Sequence, residues 1–288
     1  MTIDPDFLDE LDRFQAALDR ETSALQQGEQ QSPRVGEGLT FSDYRRYSPG
    51  DDTRLIDWKL FARTEEYYIK QFEEERSLTV HVLLDSSASM DFGDDQTHKF
   101  EYGAKIGLGF AYLTAEEHND FVFGTFREAV DRLDTDRSNR GEVLRLIDEL
   151  NESGPDGDAD IEAALSAYAD RIRTRSLVVV VSDCLYDPGA IESGVAALAR
   201  TDSDVLVVRV IAPSERDPDV AGDALFVDPE TEQERRSYFS GALANTYRSR
   251  LEAHVDEVSE KVTALGEDHV TVDTGERYFD SFASVWLG

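Results

Sequence analysis

The sequence has a single cysteine, Cys184, and only five lysines among its 29 basic residues. One cysteine cannot form a disulfide within the chain, and a cysteine-rich zinc site is excluded. The longest purely apolar stretch, residues 177–181, is far shorter than the roughly 20 residues that span a bilayer. The N-terminus also lacks the basic start and apolar core of a signal peptide. These absences predict a cytoplasmic protein without membrane insertion.

The charge is strongly one-sided, because 61 acidic residues face 29 basic ones and give a formal net charge of -32. Such a chain repels nucleic acid phosphates and anionic lipids, so nucleic acid is not an expected partner. An acidic interaction tail would need a block of like charge, whereas the carboxylates are spread along the chain. Acid excess with few lysines instead favours a halophilic protein, since salt at 1 M screens self-repulsion within about 3 Å.

Short apolar strands alternate with helices from residue 77 onward. The predicted strands and helices are 78–84, 100–114, 120–126, 143–150, 161–172, 177–182, 188–200 and 204–211. Strands that are apolar throughout suit a parallel sheet covered by helices on both faces. We therefore predict a doubly wound α/β fold, followed by a hairpin within 224–239, a helix along 251–265, an edge strand at 269–272 and a closing helix at 279–287.

The N-terminal part has a different pattern. Phe7, Leu11, Phe14 and Leu18 recur at spacings of four and three, which places them on one face of a helix. A polar linker follows, and then an irregular, strand-containing segment rich in aromatic and charged residues. The predicted organisation is a helix and linker over 1–33, a small segment over 34–76 and the α/β domain over 77–288.

Polar side chains gather where two apolar strands end. Asp85 ends the strand in "VHVLLDSSASMD" and forms D-x-S-x-S with Ser87 and Ser89, while Asp183 ends the strand "SLVVVVSD". Ligands of open α/β sheets bind at the carboxyl ends of strands, and hard oxygen donors suit Mg²⁺, Mn²⁺ or Ca²⁺. If the two strands are neighbours, both carboxylates face one point. The alternative is that these residues only cap helices and form turns.

This pattern resembles the von Willebrand factor A domain with its metal-ion-dependent adhesion site. The resemblance implies that Asp85, Ser87, Ser89 and Asp183 hold Mg²⁺ or another divalent cation, and that an Asp or Glu of a partner protein completes the coordination. One position departs from the family, because "GDADIEAAL" places Ala159 where a threonine ligand is usual. Either Asp158 or Asp160 or a water replaces that ligand, or the metal site is weakened or lost.

The segment "GEGLTFSDYRRYSPGDDTRLIDWKLFARTEEYYIKQFEEE" resembles the signature of the domain of unknown function 58 family. The resemblance implies partnership with a MoxR-type AAA ATPase, for which this chain acts as an adaptor in assembling or remodelling a complex. Within the segment, a group of arginines either pairs with nearby carboxylates or docks the partner. These candidate partner-binding residues are Arg45, Arg46, Arg54 and Arg63.

Two other functions stay open at this stage. A metal-assisted ester or phosphoester hydrolase could use the same ion to activate a water, but the sequence has no G-x-S-x-G elbow and no histidine beside either motif. Ala159 is also compatible with a metal-free scaffold. No phosphate-binding glycine loop is present, so nucleotide hydrolysis by this chain is not expected. We therefore predict a non-enzymatic binding module, and the sequence leaves its oligomeric state open.

Overall fold

The computed structural model describes residues 2–26, 39–46, 67–74, 78–94, 97–201, 203–218, 222–227 and 234–287. The chain divides into two compact units, Ala17–Ser77 and a larger one formed by Met1–Ala16 with Leu78–Gly288. Helix α1 (Phe7–Gln26) contributes to both. In the smaller unit, β1 (Leu39–Arg46) pairs antiparallel with β2 (Tyr68–Glu74). The predicted linker beyond Gln26 lies outside the described residues.

The larger unit contains the predicted strands and helices, with boundaries that shift by a few residues. Its strands are β3 (Thr79–Asp85), β4 (Asp120–Phe126), β5 (Val130–Arg132), β6 (Ser176–Ser182), β7 (Asp204–Ile211), β8 (Gly222–Val227), β9 (Glu234–Phe239) and β10 (Asp268–Asp273). Its helices are α2 (Lys99–Glu116), α3 (Arg140–Glu152), α4 (Ile161–Ala169), α5 (Pro188–Ala199), α6 (Pro213–Arg216), α7 (Gly241–Ala264) and α8 (Tyr278–Leu287).

Six strands form the main sheet in the order β10-β7-β6-β3-β4-β5. All neighbours are parallel except β5, which runs antiparallel to β4. The predicted hairpin is present as the antiparallel pair β8–β9. The α/β fold with a mostly parallel sheet is therefore confirmed, and β3 lies in its interior between β6 and β4. Within the described residues, no helix combines the length and apolarity needed to cross a membrane.

Helices cover both faces of this sheet. On one face, Leu83, Val178 and Val180 join a buried cluster with residues of α4, α5 and α7. On the other face, α2 packs on β3, β4 and β6. Because successive strand residues point to opposite faces, strands buried on both sides must be apolar throughout. This requirement explains the sequence "SLVVVVS" of β6.

The first half of α1 packs on the helices of the larger unit. Phe7, Leu11 and Phe14 are buried, as their spacing predicts. The ring of Phe14 meets that of Phe282 edge to face, with 6.3 Å between centroids. The side chain of Leu18 lies outside the described part of the chain.

Gly107 allows α2 to approach the sheet closely. A methyl group at this position would lie 2.7 Å from Cγ1 of Val82 and 3.2 Å from the Phe123 ring. Both neighbours are fully buried core side chains. The close approach holds α2 against the face of the sheet, and its first residue, Lys99, lies at the carboxyl ends of β3 and β6.

Gly107→Ala is expected to destabilise the protein by about 1 kcal/mol. Overpacking a core costs roughly 1–3 kcal/mol, whereas alanine in a helix recovers up to about 1 kcal/mol. Gly241→Ala is the matched control, since Gly241 begins α7 and has no atom within 4 Å of an added methyl. Denaturant unfolding of the two variants would measure the difference. Equal stability of both variants would contradict close packing at Gly107.

Candidate interaction site at the carboxyl edge of the sheet

Asp85 and Asp183 meet at one edge of the sheet. Strands β3 and β6 are parallel neighbours, and Leu84 pairs with Val181. Asp85 is the last residue of β3, and Asp183 follows β6 directly. The two side chains are 0% and 1% exposed, respectively. The condition that the sequence left open, that the two strands are neighbours, is therefore met, although the sequence did not predict such complete burial.

Both carboxylate oxygens of Asp85 accept hydrogen bonds from the protein. Oδ1 accepts from the backbone N–H of Ser87 at 2.9 Å. Oδ2 accepts from the hydroxyls of Ser182 at 2.6 Å and Tyr186 at 2.7 Å. Burial, and then the charge of Asp183, raises the pKa of Asp85 to about 6, while these hydrogen bonds act in the opposite direction.

The two serines of D-x-S-x-S also bond within the protein. Their hydroxyl oxygens lie 3.0 Å apart, with Ser87 fully buried and Ser89 half-buried. The loop that carries them is joined to the loop after α3, since the N–H of Ala88 donates to the carbonyl of Gly157 at 2.8 Å. The two loops named by the sequence pattern are thus neighbours in the structure.

Asp158 and Asp160 lie on the exposed side of this second loop. Asp160 caps α4, because its Oδ1 accepts from the N–H of Ala163 at 2.9 Å. Asp158 lines a groove with Arg127. Across the described ranges, no three His, Cys, Asp or Glu side chains are grouped as a metal site. Divalent metal binding by Asp85, Ser87, Ser89 and Asp183 stays a prediction.

Lys99, which the sequence did not identify as a site residue, is also part of the site. Nζ of Lys99, the first residue of α2, donates to Oδ2 of Asp183 at 2.7 Å and to Oε1 of Glu215 at 2.9 Å. Lys99 is 1% exposed, and lysine is almost never fully buried unless it is paired. Arg209 of β7 is also buried, and its Nε donates to the backbone carbonyl of Asp183 at 3.2 Å.

The turn after β6 holds Asp183 in place. Cys184 adopts a positive φ of 56°, which a residue other than glycine takes at a cost of about 1–3 kcal/mol. The turn lets the N–H of Leu185 donate to Oδ1 of Asp183 at 3.2 Å, while Nε2 of His254 donates to the carbonyl of Cys184 at 2.7 Å. Burial raises the pKa of the Cys184 thiol to about 12, so it stays protonated.

Exposed apolar side chains flank the buried polar cluster. Phe92 is 41% exposed and Leu185 is 44% exposed. The ring centroid of Phe92 lies 5.4 Å from Nζ of Lys99. The edge of the sheet therefore presents an apolar rim, Phe92 and Leu185, above charges that are paired inside the protein.

Two of the four predicted partner-binding arginines lie in the described part of the smaller unit. Arg45 and Arg46 are the last two residues of β1, for which only the backbone is described. Arg54 and Arg63 lie outside the described residues. Partner binding by these four arginines stays a prediction.

Comparison with known proteins gives a family and distant structural similarities. The family described as "Protein of unknown function DUF58" matches residues 43–257. An uncharacterized protein of Mycobacterium tuberculosis (Rv1480) is 27% identical over 243 residues, which are 83% of this chain and 76% of the relative.

Two solved structures are similar at low identity. BatB of Bacteroides thetaiotaomicron is 14% identical with a TM-score of 0.43, covering 73% of this chain and all of BatB. The SpRpn10 VWA domain is 12% identical with a TM-score of 0.44, covering 72% of this chain and 94% of that domain. Since both scores are below 0.5, the fold assignment depends on the strand order and register of this chain itself.

Asp85→Asn is expected to change the pH dependence of stability. A carboxyl group whose folded-state pKa is raised stabilises the fold fully below its ordinary value of 3.8, and loses that contribution as pH rises through about 6. The difference in unfolding free energy between the natural protein and the variant should shift by roughly 3 kcal/mol across this interval. Denaturant unfolding of both proteins from pH 3.5 to 7 would measure this shift. If the unfolding free energies of the two proteins changed with pH in parallel, the prediction would be contradicted.

Proposed function

Because the chain belongs to the family described as Protein of unknown function DUF58, we propose that it is a non-enzymatic protein-binding module. Its contact surface is the carboxyl edge of the main sheet. The observation that carries this proposal is the apolar rim, Phe92 and Leu185, which lies exposed beside a buried and internally paired charge cluster.

The rim has the properties of a preorganised contact surface. The carbonyl of Phe92 accepts from the N–H of Lys99 at 2.8 Å, and the N–H of Leu185 donates to Asp183. Both rim residues are thus tied through their backbones to the charge cluster. A surface that is ordered before binding loses less conformational entropy when a partner docks. Aromatic residues are also enriched at the centres of protein interfaces.

The polar groups of the site suit a structural role better than catalysis. The hydroxyl of Ser182 donates to Asp85, and that of Ser87 is paired with Ser89. A metal-assisted hydrolase would need a positioned base and a stabiliser of developing charge. No contact of the described site residues specifically favours that alternative, so a binding function is the better supported proposal.

The partner that we propose is a MoxR-type AAA ATPase, as the family resemblance implies. In this proposal the chain acts as an adaptor in assembling or remodelling a complex. In the metal-bridged form of the proposal, an Asp or Glu of the partner completes a divalent ion held by Asp85, Ser87, Ser89 and Asp183. In the direct form, the partner packs on the apolar rim. Sensitivity of the complex to a chelator distinguishes the two forms.

Phe92→Ala and Leu185→Ala are each expected to weaken the complex with a MoxR-type ATPase from the same organism at least about tenfold. Truncating a hot-spot side chain near the centre of an interface costs about 2 kcal/mol or more, and 1.4 kcal/mol corresponds to a factor of ten. Surface-immobilised ATPase and purified chain in high-salt buffer, with and without a chelator, would provide the dissociation constants.

Leu144→Ala is the matched control for the rim variants. Leu144 is 39% exposed and is the residue four positions after Arg140, which begins α3. The neighbouring Arg140 donates to the hydroxyl of Tyr112. Tyr112 and Lys99 are both on α2 and lie about 20 Å apart along the helix, at 1.5 Å per residue. Leu144 is therefore remote from the rim. Equal affinity of all three variants, or no capture of the ATPase by the natural chain, would reject the proposed surface or partner.

A further inference from the structure

We infer that the Nζ atom of Lys99 takes the place of the divalent cation in this site, so that the protein itself supplies the positive charge that faces the carboxylates. The inference concerns the charge balance at the end of β3 and β6, and it holds whichever partner binds the rim. Three observations carry it: the contacts of Lys99, the hydrogen bonds of the predicted metal ligands, and the sum of buried charges.

The ammonium group of Lys99 is held on several sides. Two of its contacts are the carboxylates of Asp183 and Glu215, at 2.7 and 2.9 Å. The Phe92 ring lies 5.4 Å away, within the range of a cation–π contact. An ammonium group has three N–H donors, and removing it from water is costly unless carboxylates compensate. Lys99 is therefore part of the site, because its position depends on the same Asp183 that was predicted to bind metal.

The predicted ligands do not fit a divalent ion in this arrangement. Both oxygens of Asp85 accept from Ser87, Ser182 and Tyr186. Oδ1 of Asp183 accepts from the N–H of Leu185, and Oδ2 accepts from Lys99. Magnesium requires near-ideal octahedral oxygen coordination at about 2.0–2.1 Å. An ion at this point would have to displace these donors and would be repelled by the buried ammonium group.

The protein supplies the positive charge that a metal ion would bring. Lys99 and Arg209 bring two positive charges, the same charge as a divalent cation, against the three carboxylates of Asp85, Asp183 and Glu215, which leaves one negative charge in excess. The sequence departs from the metal-binding pattern at the same site, because Ala159 has no oxygen in its side chain. The absent ligand oxygen at Ala159 and the buried ammonium group of Lys99 are separate features of this chain, and both act against metal binding.

The first test measures the binding of Mn²⁺ and Mg²⁺ to the natural protein. Titration calorimetry detects both ions, and the electron paramagnetic resonance signal of free Mn²⁺ reports how much Mn²⁺ is bound. We expect no saturable site and the same unfolding temperature in EDTA and in Mg²⁺. Saturable binding that is lost in Asp85→Ala would overturn the inference. This measurement needs no partner protein, so its outcome is separate from that of the ATPase-binding experiment.

The second test removes the lysine. Lys99→Ala should lower the unfolding temperature by about 10 °C, since it leaves buried carboxylates without their cation. The Lys99→Ala variant should also gain a binding site for Mn²⁺, and added Mn²⁺ should restore part of the lost unfolding temperature. The double variant, Lys99→Ala with Asp183→Asn, should lack this Mn²⁺ site. Lys105→Ala is the control, because Lys105 lies on the same helix and bonds to Glu101 at 2.7 Å near the surface.

The outcomes of the second test are distinct. Recovery by Mn²⁺ in Lys99→Ala, with no effect in Lys105→Ala, would support a cation position occupied by Lys99. A folded Lys99→Ala variant that neither loses stability nor gains Mn²⁺ binding would overturn the inference. If Lys99→Ala does not fold in EDTA, refolding with and without Mn²⁺ provides the same comparison, and failure with Mn²⁺ would count against the inference.

Discussion

The buried ion pair between Lys99 and Asp183 connects the parts of the larger unit that meet at its carboxyl edge. Lys99 begins α2, Asp183 directly follows β6, and Glu215 belongs to the short helix α6, so one ammonium group joins three separate parts of the chain. A buried charge tolerates little displacement, because losing a partner leaves an uncompensated charge away from water. The pair therefore requires α2 to lie close to the sheet, and the missing side chain of Gly107 makes that approach possible.

Much of the fold could be predicted because the strands are apolar on both faces. Strand β4 was predicted with its observed bounds, Asp120–Phe126. Asp85 and Asp183 were both predicted at strand ends, whereas the sequence left open whether β3 and β6 are neighbours. The contacts of Lys99 could not be predicted in the same way. Its partners lie 84 and 116 residues away in the sequence, and no local pattern specifies which distant carboxylates a lysine will meet. The sequence indicates more clearly that Arg209 is buried and paired. After Asp204 at its start, β7 is apolar except for this one charged residue.

The second loop shows why the candidate ligands were ambiguous. An Asp before a helix can bind a metal or cap the helix, because a carboxylate oxygen can donate a lone pair to a cation or accept a hydrogen bond from a free backbone N–H group. Asp160 caps α4 in the structure, and Asp158 is exposed and lines a groove with Arg127. The sequence pattern located the loop correctly beside D-x-S-x-S, but the role of each oxygen depends on distances that spacing alone does not determine.

An internal cation changes what recognition at this edge depends on. A metal-bridged contact varies with the concentration of the free ion and needs an acidic residue on the partner, whereas Lys99 is present at fixed stoichiometry and is shielded from solvent. Recognition then depends on the shape and apolar surface of the rim, Phe92 and Leu185. Salt screens contacts between exposed charges but does not weaken apolar ones, and excluded salts strengthen them. The chain has a net charge of -32 and repels other acidic surfaces when salt is low. In the proposed function, an apolar rim over internally paired charges gives adhesion that does not rely on the protein's overall field.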